Sequence, residues 1–439
     1  MPVPRTSRVR YSTVAIAATL LLTGLTVAAP AQATASDPVT PPISSRVTPI
    51  SVNTAGIPGD RPSGTASVTP DGRFVVFQSG ATNLVGGAAN GQDDVFLRDR
   101  RTGSTELISV ARTGRPGNGA SLVGTTAISA DGRFVAFRST ATDLVAGVDG
   151  NGIGVDAYVR DRLTRTTVRV SGDATLTHNE SPSISGDGRF VAFVADDTTL
   201  VPGDTNLVPD VFVHDRRSAT VRRASVGPDG VQGNAVSATP VLNGNGRFVA
   251  FHSFASNLVA GDSHVPDMFV RDLRFGRTER VSYGPTGGDL DGGVRGAPSI
   301  SSDGRLVTFS AYDLQVYLRD RTRGVTTVVS AGRDGQPSGE FSHTPMLSPD
   351  GRFVTFHSGV GLTAPDPSMV TIYRRDLRAA TTTRLRLNTT DGAPLVRGAY
   401  LYATSNAGVV FSSDAPNLDV DGRPSRAEGA TVQLYLANW

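Results

Sequence analysis

The chain has 439 residues, of which 38% are apolar and 19% charged, a balance that excludes intrinsic disorder and can supply a large core. It contains no cysteine, which excludes disulfides and thiol chemistry, and every side chain of Lys/Arg type is arginine. The formal charge of +2 falls to −1 once the three arginines of residues 1–35 are set aside, so the remaining chain lacks the basic footprint of a nucleic-acid binder.

Residues 1–35 read as a secretory signal. Arg5, Arg8 and Arg10 form a positive start, Val14 to Ala29 is apolar, and three A-x-A cleavage candidates follow between Ala29 and Ala35. The apolar stretch is short of the roughly 20 residues a membrane span needs. The expectation is a secreted or extracytoplasmic protein of a bacterial cell envelope, with no membrane span after cleavage and residues 36–439 forming the mature domain.

A strand-like segment, Arg46 to Val52, stands alone before the repeats begin. Then Asp71-Gly72-Arg73-Phe74-Val75-Val76-Phe77 recurs at 131–137, 187–193, 245–251, 303–309 and 350–356, with a degraded copy at 406–411. The marker glycines recur every 47 to 60 residues. Each copy predicts four short strands. Strand a is a small apolar piece such as 126–129, and an Asp-Gly turn leads to strand b, the Arg-Phe-Val-Ala-Phe run. Strand c is the Asp-Val-Phe-Leu-Arg-Asp type at 94–99, echoed at 156–161, 210–215, 267–272, 315–320 and 371–376. Strand d is the type at 105–110. The seventh copy ends after strand c, so the segment at 46–52 is expected to serve as its strand d. The prediction is an all-β, seven-bladed β-propeller of four-stranded blades, its ring closed by an N-terminal strand completing the last blade.

The pattern S-x-D-G-R-F-V-x-F, present at 129–137, 185–193 and 348–356, resembles the WD-repeat-like motif of TolB-type β-propellers. The resemblance covers nearly the whole chain after residue 35. It implies the fold specifically and the function weakly, because such propellers serve many roles. TolB itself has six blades and a separate N-terminal α/β domain, whereas this chain shows seven copies and leaves no room for that domain.

The repeated arginine of the turn and the repeated aspartate ending strand c are expected to be structural, since a catalytic group is normally unique to one place. Alternating strand directions put the tight a–b and c–d turns on one face and the long b–c and d–a loops on the other. Binding residues are expected on the long-loop face and at the channel mouth. Candidates in the d–a loops are Asn118, His178, Asn179, Glu180, Asn234 and His343. The b–c loop residues Asp204, Asn206 and Asp210 offer hard oxygen ligands for Ca²⁺, with Asx turns as the alternative reading; no other cofactor is expected. No zinc-type histidine cluster and no nucleophile elbow occur. With 6% aromatics and a single tryptophan, a strong carbohydrate-stacking platform is not expected. The function expected is non-catalytic binding of an envelope protein, peptide or cell-wall glycan by a monomer, the alternative being a secreted glycan hydrolase or lyase working at the channel mouth.

Overall fold

The computed structural model describes residues 43–44, 47–87, 90–147, 154–172, 181–262, 265–332, 341–359, 362, 371–386, 399–414, 418–420, 423–424 and 431–439. The expected signal at 1–35 lies outside the described residues. Seven blades of four antiparallel strands follow one another. Blade 1 is Ser63–Val68 (strand a), Phe74–Ser79 (b), Asp94–Asp99 (c) and Ser104–Leu107 (d). Blade 7 is Tyr400–Thr404, Gly408–Ser413, Gln433–Asn438 and, as its strand d, Val47–Pro49 from the other end of the chain. The protein is an all-β, seven-bladed propeller closed by its N-terminal strand.

A hydrogen bond shows why this segment fits. Just past strand d in blades 1 to 5, a serine hydroxyl donates to the side chain that opens strand c. Ser109 donates to Asp94 (2.7 Å), Ser225 to Asp210 (2.5 Å) and Ser330 to Gln315 (2.7 Å). In blade 7 Ser51 donates to Gln433 (2.5 Å) across 382 residues of chain. The N-terminal segment therefore carries the strand-d serine that the C-terminal copy lacks. Just ahead of it, Ile43–Ser44 pairs in parallel with strand d of blade 6, an addition the repeats did not foretell.

Within each blade a strand-b phenylalanine stacks on a strand-c aromatic ring, from Phe77 on Phe96 (5.9 Å between centroids) round to Phe411 on Tyr435 (5.8 Å). Those rings are buried and form the centre of each blade. Between blades the Asp-Gly-Arg-Phe turn does the joining. The glycine takes positive φ, +73° at Gly132, and its bare Cα faces the ring of Phe74 in the preceding blade. Gly188 meets Phe134, Gly246 meets Phe190 and Gly304 meets Phe248 in the same way.

The turn arginine forks onto the strand-c aspartate. Arg73 gives Asp99 two hydrogen bonds of 3.1 and 2.7 Å, and the Arg133–Asp161 and Arg189–Asp215 pairs repeat the geometry. The arginine holds the Asp99 and Asp161 carboxyls down to about 2. Strand a is the least regular element. Blade 2 pairs only Ser121–Leu122 plus one bridge at Ile128, where pairing was expected at 126–129.

Candidate functional site

The inner strands of all seven blades surround a central cavity of about 770 Å³, to which Ser67, Thr126, Ile184, Val241, Ser299, Met346 and Ala403 contribute in blade order. Its walls are mostly small and apolar. Asymmetry enters at blades 4, 5 and 6, where strand a runs through Thr239-Pro240, Ala297-Pro298 and Thr344-Pro345. Proline has no N–H to give the ladder. The register slips between Ala238 and Val241, between Arg295 and Ser299, and between His343 and Met346. Thr239 and Thr344 are driven to φ of 51° and 53°, a conformation that strains a β-branched residue by about 1–3 kcal/mol.

The mouth beside these bulges carries unlike polar groups. Arg295 stands with its guanidinium 4.4 Å from the Phe341 ring and 5.7 Å from the Tyr312 ring. Its Nε and Nη2 are buried and have no hydrogen-bond partner among the described residues. His343 lies beside it, its Nδ1 2.7 Å from Thr344 Oγ1 and its ring 4.6 Å from Phe341 and 5.1 Å from His357. His357 accepts the Leu401 N–H at 3.1 Å. Burial, with a smaller push from His343, lowers His357 to about 4. Burial and the Arg295 charge lower His343 as well. In blade 4, burial lowers His252 to about 4. All three rings are neutral at pH 7, and Arg295 is the fixed charge among them.

Phe254, Tyr312, Phe341 and Tyr400 are 50, 50, 42 and 64% exposed and line the same arc from blade 4 to blade 7. Low aromatic content argued against a stacking surface, yet four of the five exposed rings among the described residues gather here, Phe275 on the tight-turn face being the fifth. Blade 5 explains the opening. Its b–c connection is only Tyr312 to Gln315, between strands Leu306–Ala311 and Val316–Asp320, so the wall is low there.

Of the sequence candidates, the structure brings His343 to the cavity. Asn118 and Asn234 instead clamp a d–a loop to the neighbouring b–c loop. Asn118 exchanges hydrogen bonds with Thr142 and takes Asp143 on its N–H, and Asn234 does the same with Ser256 and Asn257. His178, Asn179 and Glu180 lie outside the described residues. Asp204 and Asp210 both face the Arg223 guanidinium, at 3.3 and 3.2 Å, while Asn206 donates to the Gly233 carbonyl at 2.7 Å. Blade 4 repeats that grouping with Arg280, Asp262 and Asp267. Among the described residues no set of three or more His, Cys, Asp or Glu is placed to hold a metal.

Arg295, Tyr312, Phe341 and His357 were not singled out from sequence. Two signals pointed to them: the 47-residue step between Gly304 and Gly351, the shortest in the series, and the run of x-Pro pairs in strand a of blades 4 to 6.

No protein-family model matches the chain, and no curated protein matches it. Solved structures do. The chain is similar to an oligogalacturonate lyase from Vibrio parahaemolyticus at 14% identity, covering 90% of this chain and 98% of that one with a TM-score of 0.52. An oligogalacturonate lyase in complex with manganese matches at 14% identity over 91% and 95%, with a TM-score of 0.50. The likeness is one of fold. TolB from Acinetobacter baumannii also matches, at 17% identity and a TM-score of 0.38, and the alignment spans 66% of this chain and 65% of TolB, less than two thirds of its length. Among the described residues no helix is long and apolar enough to cross a membrane.

Proposed function

We propose that this is an extracytoplasmic binding propeller that takes the end of a peptide or cell-wall polymer into its channel mouth at blades 4 to 6. The observation that carries the reading is Arg295, a guanidinium without an anionic partner among the described residues, flanked by aromatic rings at the entrance to a cavity of about 770 Å³. Desolvating a charge is unfavourable unless a partner arrives, so the site is poised for a ligand group that accepts hydrogen bonds. The exposed rings around it supply contact area, and the bulged threonines are the kind of backbone strain that concentrates at ligand sites. The composition of residues 1–35 supports export. Equilibrium binding of soluble wall peptides and acidic glycan fragments to the full protein tests the proposal. Saturable binding lost in Arg295→Gln is expected, and binding that survives that substitution unchanged sinks it.

A second reading, a glycan lyase, is favoured by the neutral His343 and His357 rings beside Arg295. An eliminating enzyme needs a base to remove a proton next to a carboxylate and a cation to hold the charge that develops. His343 and Arg295 have the chemistry for those roles. Two similarly folded proteins bear the name oligogalacturonate lyase, which makes oligogalacturonate the first substrate to try. Ultraviolet absorbance of an unsaturated product, absent in His343→Ala, is the outcome this reading requires.

A further inference from the structure

The tight-turn face carries a second feature, at the seam where the ring closes. In four blades the residue after the strand-c aspartate is an arginine: Arg100, Arg162, Arg216 and Arg321. Three of them reach over a phenylalanine of the preceding blade. Arg162 lies 4.7 Å from the Phe74 ring, Arg216 4.0 Å from Phe134 and Arg321 4.2 Å from Phe248. Arg162 and Arg321 also pair with a carboxylate of the preceding blade, Glu106 and Glu279.

Arg100 faces blade 7, and there the register shows what replaces each partner. Gly408 pairs with Asn438 as Phe74 pairs with Asp99, so glycine occupies the phenylalanine's place and asparagine the aspartate's. Thr48 pairs with Leu436 as Glu106 pairs with Leu97, so threonine occupies the glutamate's place. Arg100 therefore has only neutral acceptors: the Gly72 carbonyl at 2.7 Å, Asn438 at 3.2 Å and Thr48 at 3.4 Å. A depression of about 670 Å³ opens beside it, lined by Thr48, Pro49, Asp71, Arg73, Arg98, Arg100 and Arg101. Arg73 is committed to Asp99. Arg98 is bound to the Asn53 carbonyl and Thr105 hydroxyl, both neutral. Arg101 is exposed, and its side chain has no ion-pair partner among the described residues.

We propose that this seam is a phosphate-binding site. Arg100 and Arg101 hold the oxyanion where the Arg162 and Arg321 seams hold a glutamate, and Arg98 adds to the positive field. Three guanidinium groups stand against one carboxylate, Asp71, which already accepts the Thr69 hydroxyl and the Arg73 N–H; that excess favours a doubly charged oxyanion over a carboxylate, and arginine's planar fork matches phosphate oxygens.

The test is calorimetric titration of the full protein with inorganic phosphate at constant ionic strength, with chloride as the control and a glycerol phosphodiester as the second arm. Saturable phosphate binding is expected, weakened roughly tenfold or more in Arg101→Gln, as for loss of one hydrogen bond to a charged group. Thr48→Glu installs the carboxylate of the Arg162 and Arg321 seams and is expected to abolish the response while leaving the melting temperature at or above that of the parent. Arg295→Gln is expected to keep it, which separates this seam from the channel mouth. Equal affinity for the diester assigns the site to an esterified polymer or headgroup, and preference for inorganic phosphate assigns it to the free ion. A heat no larger than that of chloride, or undiminished binding in Thr48→Glu, overturns the proposal.

Discussion

Replacing Gly246 by alanine probes how neighbouring blades lock together. Two separate penalties are expected. Gly246 sits at φ +67°, where an alanine side chain costs about 1–2 kcal/mol of backbone strain. Its new Cβ would also enter the Phe190 ring of blade 3, well inside van der Waals contact, and overpacking of that kind costs about 1–3 kcal/mol. The sum is about 2–5 kcal/mol. Gly351 provides the control. Its φ is +72°, but the preceding blade offers Leu306 in place of phenylalanine, and the nearest atom is Leu306 Cδ1 at 3.1 Å. Gly351→Ala should therefore show the backbone penalty with little of the steric one. Urea unfolding followed by circular dichroism, on both variants and on Gly246→Ala combined with Phe190→Leu, measures the difference. Phe190→Leu copies the natural pair of the Leu306 seam, so it should recover about 1 kcal/mol or more in the Gly246→Ala background. Equal destabilisation at Gly246 and Gly351, or no recovery from Phe190→Leu, refutes the interlock.

Three further outcomes are expected. His357, lowered by burial to about 4, binds its proton less readily folded than unfolded, where its value is about 6.5. Its contribution is thus fully present above about pH 6.5 and is lost as pH falls to 4, an effect of at most about 3 kcal/mol that His357→Gln should remove from the pH dependence of the urea midpoint. Asp161, held down to about 2 chiefly by its hydrogen bonds from Arg133, contributes stability above the ordinary carboxylate value, and this is lost as pH falls toward 2. Asp161→Asn should lower the thermal midpoint at pH 7 and flatten its fall in acid, with a loss on the scale of a partly exposed pair, about 1 kcal/mol. Arg295→Gln should leave the melting temperature unchanged or raised while eliminating ligand capture, because it removes an unpaired charge from the mouth; a large loss of stability would show that Arg295 is structural.

The scaffold was legible in the sequence because a propeller repeats its physics. In six blades the Asp-Gly-Arg-Phe type of turn encodes a positive-φ glycine and a fork for the strand-c aspartate, and in all but the Leu306 blade an aromatic ring as well, so local spelling and global packing agree six times. Ring closure was legible for the same reason, since the missing strand d had one unassigned segment to fill it, and Ser51 carries the matching serine. The candidate site was only partly legible. His343 stood in a predicted loop, but Asn118 and Asn234 turned out to clamp loops, their amides hydrogen-bonded to Thr142 and Ser256 of the neighbouring b–c loops. Arg295, Tyr312 and Phe341 come from two blades and meet across a short connection and a bulged strand. The repeat could fix the blades and their order, since those follow from contacts between residues at constant spacing. Which side chains share the mouth depends on where the repeat breaks, and only the closed ring brings those breaks together.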